Sequence, residues 1–520
     1  MTSIDSPAVN DVSVAMPRRR WCFRIIAVIL PFALLAISEL ICLAAGWGSA
    51  EISDDPYVEF AEIRPLFEKT AGGDLWRTSQ SRRKYFREDS FSSTKPADEF
   101  RIFVFGGSTV QGNPFSIETS FPTYLQIALE QADPSHPWKV VNCGGVSYAS
   151  YRLVPIMQEC LAYEPDLFIF CEGHNEFLED VTYSSLRETP AAISTTFSVL
   201  NSCRTFRLLR AGILSFFKAS NVAPVANSET DVRPVLTTDV DTLLDHDGGF
   251  AVYHRDDSHA ASVELHFRSN LQRMVDLCQQ NSVPLLMILP PSNLSDCPPF
   301  KPEFSESISD SDRTKIADIL KRARQMALAR PAEAIAMAEQ VTQSDPRFAL
   351  AWYELGHLQL TTRDFTAAER SFRRARDEDT CPLRMTSSLE VAMQTVVEEN
   401  RLPFLNAHEL LQASTTNGII GDNVLVDHVH PSFRAHEDIA IAIADWMLSA
   451  QLATARNPNW KQETREECRQ QLQTLDNLYF LRGQRHLENL KLWAAGRSGG
   501  PPLLRSGEEQ RGNPDKQPIH

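Results

Sequence analysis

The chain has 520 residues, enough for roughly three or four domains of ordinary size. Hydrophobic residues make up 43% and charged residues 23%, and this composition excludes a wholly disordered chain, a collagen and a multi-span membrane protein. Lys and Arg number 51 against 67 Asp and Glu, so the net charge of −16 disfavours a nucleic-acid partner. The ten Cys residues are scattered without a CxxC pair, which favours buried thiols over a disulfide scaffold or a zinc site.

The N-terminal segment has the pattern of a membrane anchor. Residues 1–22 end in a cluster of arginines, an apolar run follows to Trp47, and acidic residues come after it. The positive-inside rule then predicts a cytoplasmic N-terminus (1–22), a single transmembrane signal anchor (23–47) and the rest of the chain outside the cytoplasm. A cleaved signal peptide and a secreted protein are the alternative. Residues 48–99 are predicted to form a linker.

The next segments alternate between strands and helices. Strands are predicted at 101–105, 139–142, 166–171, 284–289 and 402–406, and helices at 120–131, 151–163, 261–281 and 434–448. This alternation predicts a parallel sheet covered on both faces, as in a three-layer flavodoxin-like α/β fold. The domain would come in two parts, 100–300 and 401–450.

Two insertions interrupt that alternation. Residues 178–260 are predicted to form a cap, with an apolar helix over 197–217 that packs on the core, covers a pocket or leans on a membrane. Residues 313–400 are predicted to form helical hairpins, because small and aromatic residues stand at the offsets of a tetratricopeptide repeat. This array either is structural or binds a protein partner. Further helices are expected over 451–495 and a disordered tail over 496–520. The repeat positions are Ala334, Ala338, Pro346, Trp352, Leu355, Gly356, Ala368, Phe372 and Ala375.

Polar residues follow the predicted strands at the points where the strands end. Ser108 comes after the first strand, Asn142 lies at the end of the second, Asn175 follows the third, and Asp427 and His430 follow the fifth. Ligands bind at the carboxyl ends of the strands in a doubly wound sheet, so these side chains are expected to share one crevice.

These blocks resemble those of the GDSL/SGNH hydrolase superfamily of esterases and lipases. The matching blocks are Gly106-Gly107-Ser108, Asn142 to Ser150, Gly173-His174-Asn175-Glu176 and Asp427-His428-Val429-His430. The resemblance implies that Ser108 is the nucleophile, that His430 is the general base and that Asp427 orients the imidazole. It also implies that Asn175 and a backbone N–H of the second block, from Ser147 or Gly145, form the oxyanion hole.

The resemblance has two departures. The family's Asp before the nucleophile is Gly107 here, and the family's oxyanion glycine, counted five residues after Asn142, falls on Ser147. The expected activity is hydrolysis of an ester through an acyl-serine, with an acylated glycan or lipid as substrate and no metal or cofactor. An acyltransferase with the same triad is one alternative, and an assembly factor with an inactive hydrolase fold is another. The pair His428 and His430 beside Asp427 also leaves a metal site open.

Overall fold

The computed structural model describes residues 30, 34–42, 44–45, 55, 57–181, 204–205, 208, 235–245 and 249–497, with side chains up to Lys491 in the last helix. The chain divides into two compact units, Met1–Glu51 with Thr189–Asp231, and Ile52–Glu188 with Val232–His520. Among the described residues, no helix is both long enough and apolar enough to cross a bilayer. Most of the predicted anchor (23–47), the 197–217 helix and the 496–520 tail lies outside the described residues.

The first unit contains one notable polar contact. The carboxylate of Glu39, an acidic residue within the apolar run, accepts hydrogen bonds from the backbone N–H groups of Arg204 and Thr205 at 2.7 and 2.9 Å. The Thr205 hydroxyl donates to the same carboxylate at 2.8 Å. The N-terminal run and the large insertion therefore contact each other through an acid that is otherwise out of place among apolar residues.

The second unit is built from ten strands and thirteen helices within the described residues. The strands are β1 (Glu59–Phe60), β2 (Phe67–Lys69), β3 (Leu75–Thr78), β4 (Ser90–Ser92), β5 (Phe100–Gly106), β6 (Trp138–Gly144), β7 (Leu167–Cys171), β8 (Val235–Leu236), β9 (Leu285–Leu289) and β10 (Phe404–Asn406). The helices are α1 (Ser108–Gln111), α2 (Phe121–Ala132), α3 (Ser150–Cys160), α4 (Asp257–Gln280), α5 (Asp310–Met326), α6 (Pro331–Ser344), α7 (Ala349–Thr361), α8 (Phe365–Asp377), α9 (Ser387–Asn400), α10 (Ala407–Gln412), α11 (Phe433–Ser449), α12 (Trp460–Thr474) and α13 (Asn477–Arg497).

The central sheet has five parallel strands in the order β10-β9-β7-β5-β6. Counted along the chain, this is the order 2-1-3-4-5 of the flavodoxin-like doubly wound fold. The direction of winding reverses between β5 and β7, which are the strands that precede Ser108 and Asn175. The topology therefore places the two predicted residues on either side of the switch point, where such folds bind their ligands.

Alternate residues of the strands pack into two separate hydrophobic cores, one on each face of the sheet. Phe103, Phe105 and Phe168 face α3, α4 and α9, whereas Ile102 and Val104 face α2, α11 and α12. Because both faces are covered, the strands read as continuous apolar runs. The predicted three-layer α/β arrangement is confirmed as a parallel sheet between helical layers.

Two predicted boundaries are wrong. Residues 48–99 are not a linker throughout, because β2, β3 and β4 form an antiparallel sheet whose Phe67 and Phe91 are buried in the main core. The insertion predicted over 313–400 ends before α9, because Met393 and Val396 of this helix pack against the sheet. A crossover between the parallel strands β9 and β10 needs a covering helix, and α9 supplies it.

Two antiparallel hairpins, α5–α6 and α7–α8, make up the rest of that insertion. Gly356 of α7 lies so close to Phe372 of α8 that a Cβ there would stand 2.7 Å from the ring. Ala334 and Ala338 of α6 are fully buried in the same way. The small residues thus bring the helices together, as the pattern indicates, while membership of the tetratricopeptide class stays a prediction.

Candidate active site

The nucleophile candidate is presented by the edge of the sheet. The strand β5 is buried from Arg101 to Gly106, and the chain then turns so that Ser108 begins the single-turn helix α1. Asn142, at the end of β6, donates its side-chain amide to the carbonyl of Val110 at 2.9 Å. The second block therefore holds the turn that carries Ser108.

His430 and Asp427 come from a short loop before α11. The carboxylate of Asp427 accepts the backbone N–H groups of Val429 and His430 at 2.9 and 2.8 Å, which fixes the loop around it. The loop is closed by a bond from the Val426 N–H to the His430 carbonyl at 2.9 Å. The D-x-x-H spacing therefore lets one carboxylate hold both the loop and the imidazole.

The three side chains form a continuous hydrogen-bonded relay. His430 Nε2 lies 2.7 Å from Ser108 Oγ, and His430 Nδ1 lies 2.6 Å from Asp427 Oδ2. Because Asp427 accepts at Nδ1, the neutral imidazole presents an unprotonated Nε2 to the serine hydroxyl. Residues 322 positions apart in the chain are thus within proton-transfer distance.

The charge on Asp427 is stabilised within the protein. Burial alone would raise its pKa, but the imidazoles of His430 and His428 and the loop hydrogen bonds outweigh burial and hold the pKa well below its usual range. Burial lowers the pKa of His428 to about 4, so this second imidazole is neutral at pH 7. The candidate site therefore contains one fixed negative charge behind the base, as an imidazolium-forming relay requires.

Asn175 lies next to the nucleophile turn. A Cβ built on Gly107 would stand 2.5 Å from Asn175 Nδ2, so the amide sits against the residue before Ser108. The amide nitrogen donates one hydrogen bond to the carbonyl of Tyr148 at 3.1 Å. Its second N–H remains available to an oxyanion.

The two backbone candidates of the second block, Ser147 and Gly145, differ in what their N–H groups bind. The N–H of Gly145 already donates to the Gly106 carbonyl at 2.9 Å. Ser147 has a positive φ of 63°, a conformation that non-glycine residues seldom adopt. Among the described residues, no acceptor takes the N–H of Ser147 or that of Ser108. Both are therefore free to serve as oxyanion donors with Asn175.

The departure at Gly107 has a structural explanation. A Cβ there would stand 2.3 Å from Oε2 of Glu172, so a side chain at 107 has no room. Glu172 directly follows β7, is fully buried and accepts the backbone N–H groups of His174 and Asn175 at 3.0 and 3.1 Å. Burial raises the pKa of Glu172 to about 7, against the lowering effect of hydrogen bonds that include one from Gly107. A carboxyl group from the neighbouring strand thus occupies the space beside the nucleophile turn.

Residues at the end of the helical insertion contact the candidate site through a set of buried hydrogen bonds. Asn293, after β9, donates to the Asp427 carbonyl at 3.0 Å, and Arg384 donates to the Asn293 and Cys297 carbonyls at 2.8 Å. The N–H of Met385 donates to His174 Nδ1 at 3.0 Å. Sequence reasoning missed Glu172, Asn293 and Arg384. Only Glu172 leaves a signal, as an acid at the end of a buried apolar strand.

The metal alternative for His428 and His430 has no support in the geometry. Both ring nitrogens of His430 are occupied by Ser108 and Asp427. In the part of the chain that the structure describes, no group of three or more His, Cys, Asp or Glu side chains is arranged to hold a metal ion. Cys160, Cys171 and Cys278 are buried free thiols, as predicted.

Comparisons with known proteins add a likeness to solved structures. No protein-family model matches the chain, and no curated protein matches it. The chain is similar to a GDSL-like lipase from Bacteroides thetaiotaomicron, with 10% identity, a TM-score of 0.28, and coverage of 69% of this chain and 93% of that one. It is also similar to a putative acylhydrolase from Bacteroides fragilis, with 10% identity, a TM-score of 0.27, and coverage of 69% and 91%.

The first of these neighbours carries the family name that the four sequence blocks predict. At such TM-scores the likeness itself carries no argument about activity. The functional conclusion depends on the positions of Ser108, His430, Asp427 and Asn175.

Proposed function

We propose that the protein is a serine hydrolase of the GDSL/SGNH type that cleaves an ester bond through an acyl-serine intermediate. The observation that carries this proposal is the relay Ser108–His430–Asp427, with contacts of 2.7 and 2.6 Å, at the carboxyl edge of the sheet. A serine within hydrogen-bond reach of a base that a carboxylate orients is the arrangement that nucleophilic catalysis requires.

The reaction follows from the positions of these groups. Ser108 Oγ attacks the ester carbonyl while its proton passes to His430 Nε2, and Asp427 stabilises the imidazolium that results. The oxyanion accepts hydrogen bonds from Asn175 and the backbone of Ser108 and Ser147, where one such donor is worth about 10²–10³ in rate. His430 then protonates the leaving alcohol. Water attacks the acyl-serine with the same base, and the carboxylic acid leaves.

The finer parts of the proposal come from the sequence. An O-acyl group on a glycan or lipid is the proposed substrate, and the apolar run near the N-terminus is proposed to hold the domain at a membrane outside the cytoplasm. An acyltransferase differs only in that an alcohol, rather than water, intercepts the acyl-serine. The buried contacts of Arg384 and Met385 with the site favour an insertion that serves the enzyme over an unrelated assembly factor.

A fluorophosphonate probe tests the nucleophile without knowledge of the substrate. The wild type should be labelled at Ser108 and should hydrolyse p-nitrophenyl acetate, whereas Ser108→Ala should lose both properties with an unchanged melting temperature. Ser135→Ala is a matched control, because this exposed serine precedes β6 at the opposite edge of the sheet. Labelling that persists in Ser108→Ala would refute the proposal.

A further inference from the structure

Helix α13, near the end of the chain, is docked on the loop that follows the proposed nucleophile. The Tyr479 hydroxyl accepts the backbone N–H of Ser116 at 3.2 Å. One turn later, Gly483 is buried so close to Phe115 that a Cβ there would clash with the phenyl ring. Because the segment 115–116 comes soon after the turn that begins with Ser108, these contacts hold α13 beside that turn.

The same helix is also held at the loop that carries the proposed base. Phe433 comes three residues after His430, and its ring centre lies 4.5 Å from that of Phe115 and 6.3 Å from that of Phe480. The rings of Phe115 and Tyr479 stack with their centres 6.0 Å apart. Four aromatic rings therefore join α13 to both segments that supply the relay.

Helix α13 also contacts the opposite side of the crevice that holds Ser108. It lies against the segment Gly249–Val252 of the large insertion. The next residue, Tyr253, donates its hydroxyl to the carbonyl of Phe177 at 3.0 Å, and Phe177 closely follows Asn175. With 21 residues, α13 is roughly 31 Å long. The helix therefore extends from the loop after Ser108 to a segment beside the proposed oxyanion donor.

The electrostatic surroundings of His486 place this part of α13 close to the relay. Partial burial lowers the pKa of His486, the positive charges of His430 and Arg87 lower it further, and the negative charge of Asp427 raises it. Such charges are largely screened beyond about 10 Å, so the imidazole lies near both relay partners. The residue also remains accessible to solvent. It can therefore meet a molecule that approaches Ser108.

We propose that α13 covers the crevice in front of Ser108 and forms one wall of the substrate cleft, with His486 as a residue that contacts the substrate and limits its size. The inference rests on the proposed function for the identity of the nucleophile, but access to position 108 is measurable without catalysis. The described contacts of α13 with the nucleophile loop are one hydroxyl and a small aromatic cluster. The helix can therefore separate from that loop without disruption of the sheet.

Access is measured on the Ser108→Cys chain with N-ethylmaleimide and with the bulkier fluorescein maleimide, by mass spectrometry of the peptide that contains position 108. The rate ratio of the bulky to the small reagent should be well below that for glutathione. Gly483→Leu should raise this ratio about tenfold or more, because an open state that is about 0.1–10% populated becomes the major one. Tyr479→Ala is a second release that adds no bulk.

The control for this release is Gln484→Leu, which adds a similar side chain at an exposed neighbouring position and should leave the ratio unchanged. Three results would each overturn the proposal. The first is a ratio in the Ser108→Cys chain equal to that of glutathione. The second is an unchanged ratio in both Gly483→Leu and Tyr479→Ala. The third is an equal rise in Gln484→Leu.

A bulkier residue at position 486 tests the contact with the substrate. In the Ser108→Cys chain, His486→Trp should slow the fluorescein reagent about tenfold and leave N-ethylmaleimide unaffected. Glu488→Trp is the control, since position 488 is exposed and lies roughly 200° around the helix from 486. Equal rates in the two Trp variants would refute the role of His486.

Kinetics extend the test to the active chain. His486→Trp should raise KM for p-nitrophenyl octanoate and leave KM and kcat for p-nitrophenyl acetate unchanged, whereas Glu488→Trp should change neither. An equal change for both esters would contradict a contact that limits substrate size. The maleimide rates decide the position of α13 even if neither ester is cleaved, so failure of the proposed hydrolase is distinguishable from failure of this inference.

Discussion

The carboxyl group of Glu172 occupies the space beside the nucleophile turn that a side chain at Gly107 would need. It hydrogen-bonds both to the backbone that carries Asn175 and to the backbone before Ser108. In the resembling family an acid precedes the nucleophile, whereas here an acid from the adjacent strand fills that place. We infer that Glu172 is a positioning residue, which holds the proposed oxyanion donor Asn175 and the turn with Ser108 at a fixed separation.

Replacement of Glu172 by Gln tests this role. Gln keeps the acceptor for the 174 and 175 N–H groups but turns an amide toward the Gly107 N–H, so two donors face each other. We expect kcat on p-nitrophenyl acetate to fall by about tenfold with little change in KM, because a small misplacement of the oxyanion donor affects the transition state. Glu130→Gln, an exposed change on α2, is the control and should leave kcat unchanged. If Glu172→Gln raised KM and left kcat unchanged, the positioning role would be contradicted.

At the scale of elements, the order of strands and helices was predictable because the central strands β5, β7 and β9 are buried on both faces and form continuous apolar runs in the sequence. The predicted strand at 101–105 is observed at Phe100–Gly106, and the predicted helix at 434–448 at Phe433–Ser449. The position of Ser108 was predictable as well, because it follows a buried strand that must end at the ligand-binding edge of the sheet. Asp427 and His430 come after β10 and α10, and their place at the same edge was predicted from the resemblance of the D-x-x-H block.

Other features had no local signal in the sequence. The short strands β2 to β4 have no clear alternation, and only contact with the main core stabilises them. The sequence of α9 has the same apolar pattern as the hairpin helices before it. Only the need for a helix that covers the sheet between β9 and β10 distinguishes α9 from them. Likewise, the bond of Gly145 to Gly106 depends on strand pairing that no motif encodes.

The junction between the helical insertion and the site includes a buried arginine. Arg384 is 2% exposed, lies 3.7 Å from Asp379 and donates to two carbonyls of the segment after β9. Arg384→Gln leaves the buried Asp379 without its cation, which typically costs about 3–5 kcal/mol. We expect a lower urea midpoint and a reduced kcat, since Asn293 also holds the Asp427 carbonyl.

The control for this change lies in the same insertion. Arg330 forms an exposed pair with Glu333 at 3.3 Å, so Arg330→Gln should alter the free energy of unfolding by no more than about 0.5 kcal/mol. Equal midpoints for the two variants would show that the insertion is not anchored through Arg384.

At the scale of the whole molecule, buried acids make stability depend on pH in an unusual direction. Burial raises the pKa of Glu176 from its ordinary value of 4.5 to about 8, with nearby Glu172 adding to the effect. Between those two pH values the folded state binds more protons than the unfolded state, so stability falls as pH rises. Glu176 accepts the Ser150 N–H and hydroxyl at 2.8 and 2.9 Å in its buried position.

Glu176→Gln should reduce this dependence, because the amide resembles the protonated acid and cannot ionise. We expect near wild-type melting at pH 6, and at pH 8.5 a melting temperature above that of the wild type. The range above pH 6.5 is informative because the histidines with lowered pKa, His428 at about 4 and His436 at about 3, are neutral there in both states. The melting temperature of Glu130→Gln should equal that of the wild type at every pH. If the melting temperature of Glu176→Gln also equalled that of the wild type at every pH, the raised pKa of Glu176 would be contradicted.

The separation of Ser108 from its base along the chain has a consequence for biosynthesis. Ser108 leaves the ribosome long before the loop with Asp427 and His430. His430 is synthesised 322 residues after Ser108. A nascent polypeptide that lacks this loop has no base beside Ser108, so we expect its hydroxyl to stay unreactive. Reactivity toward an acylating reagent is therefore expected to be acquired late, and a pulse-labelled population would report the moment at which translation passes His430.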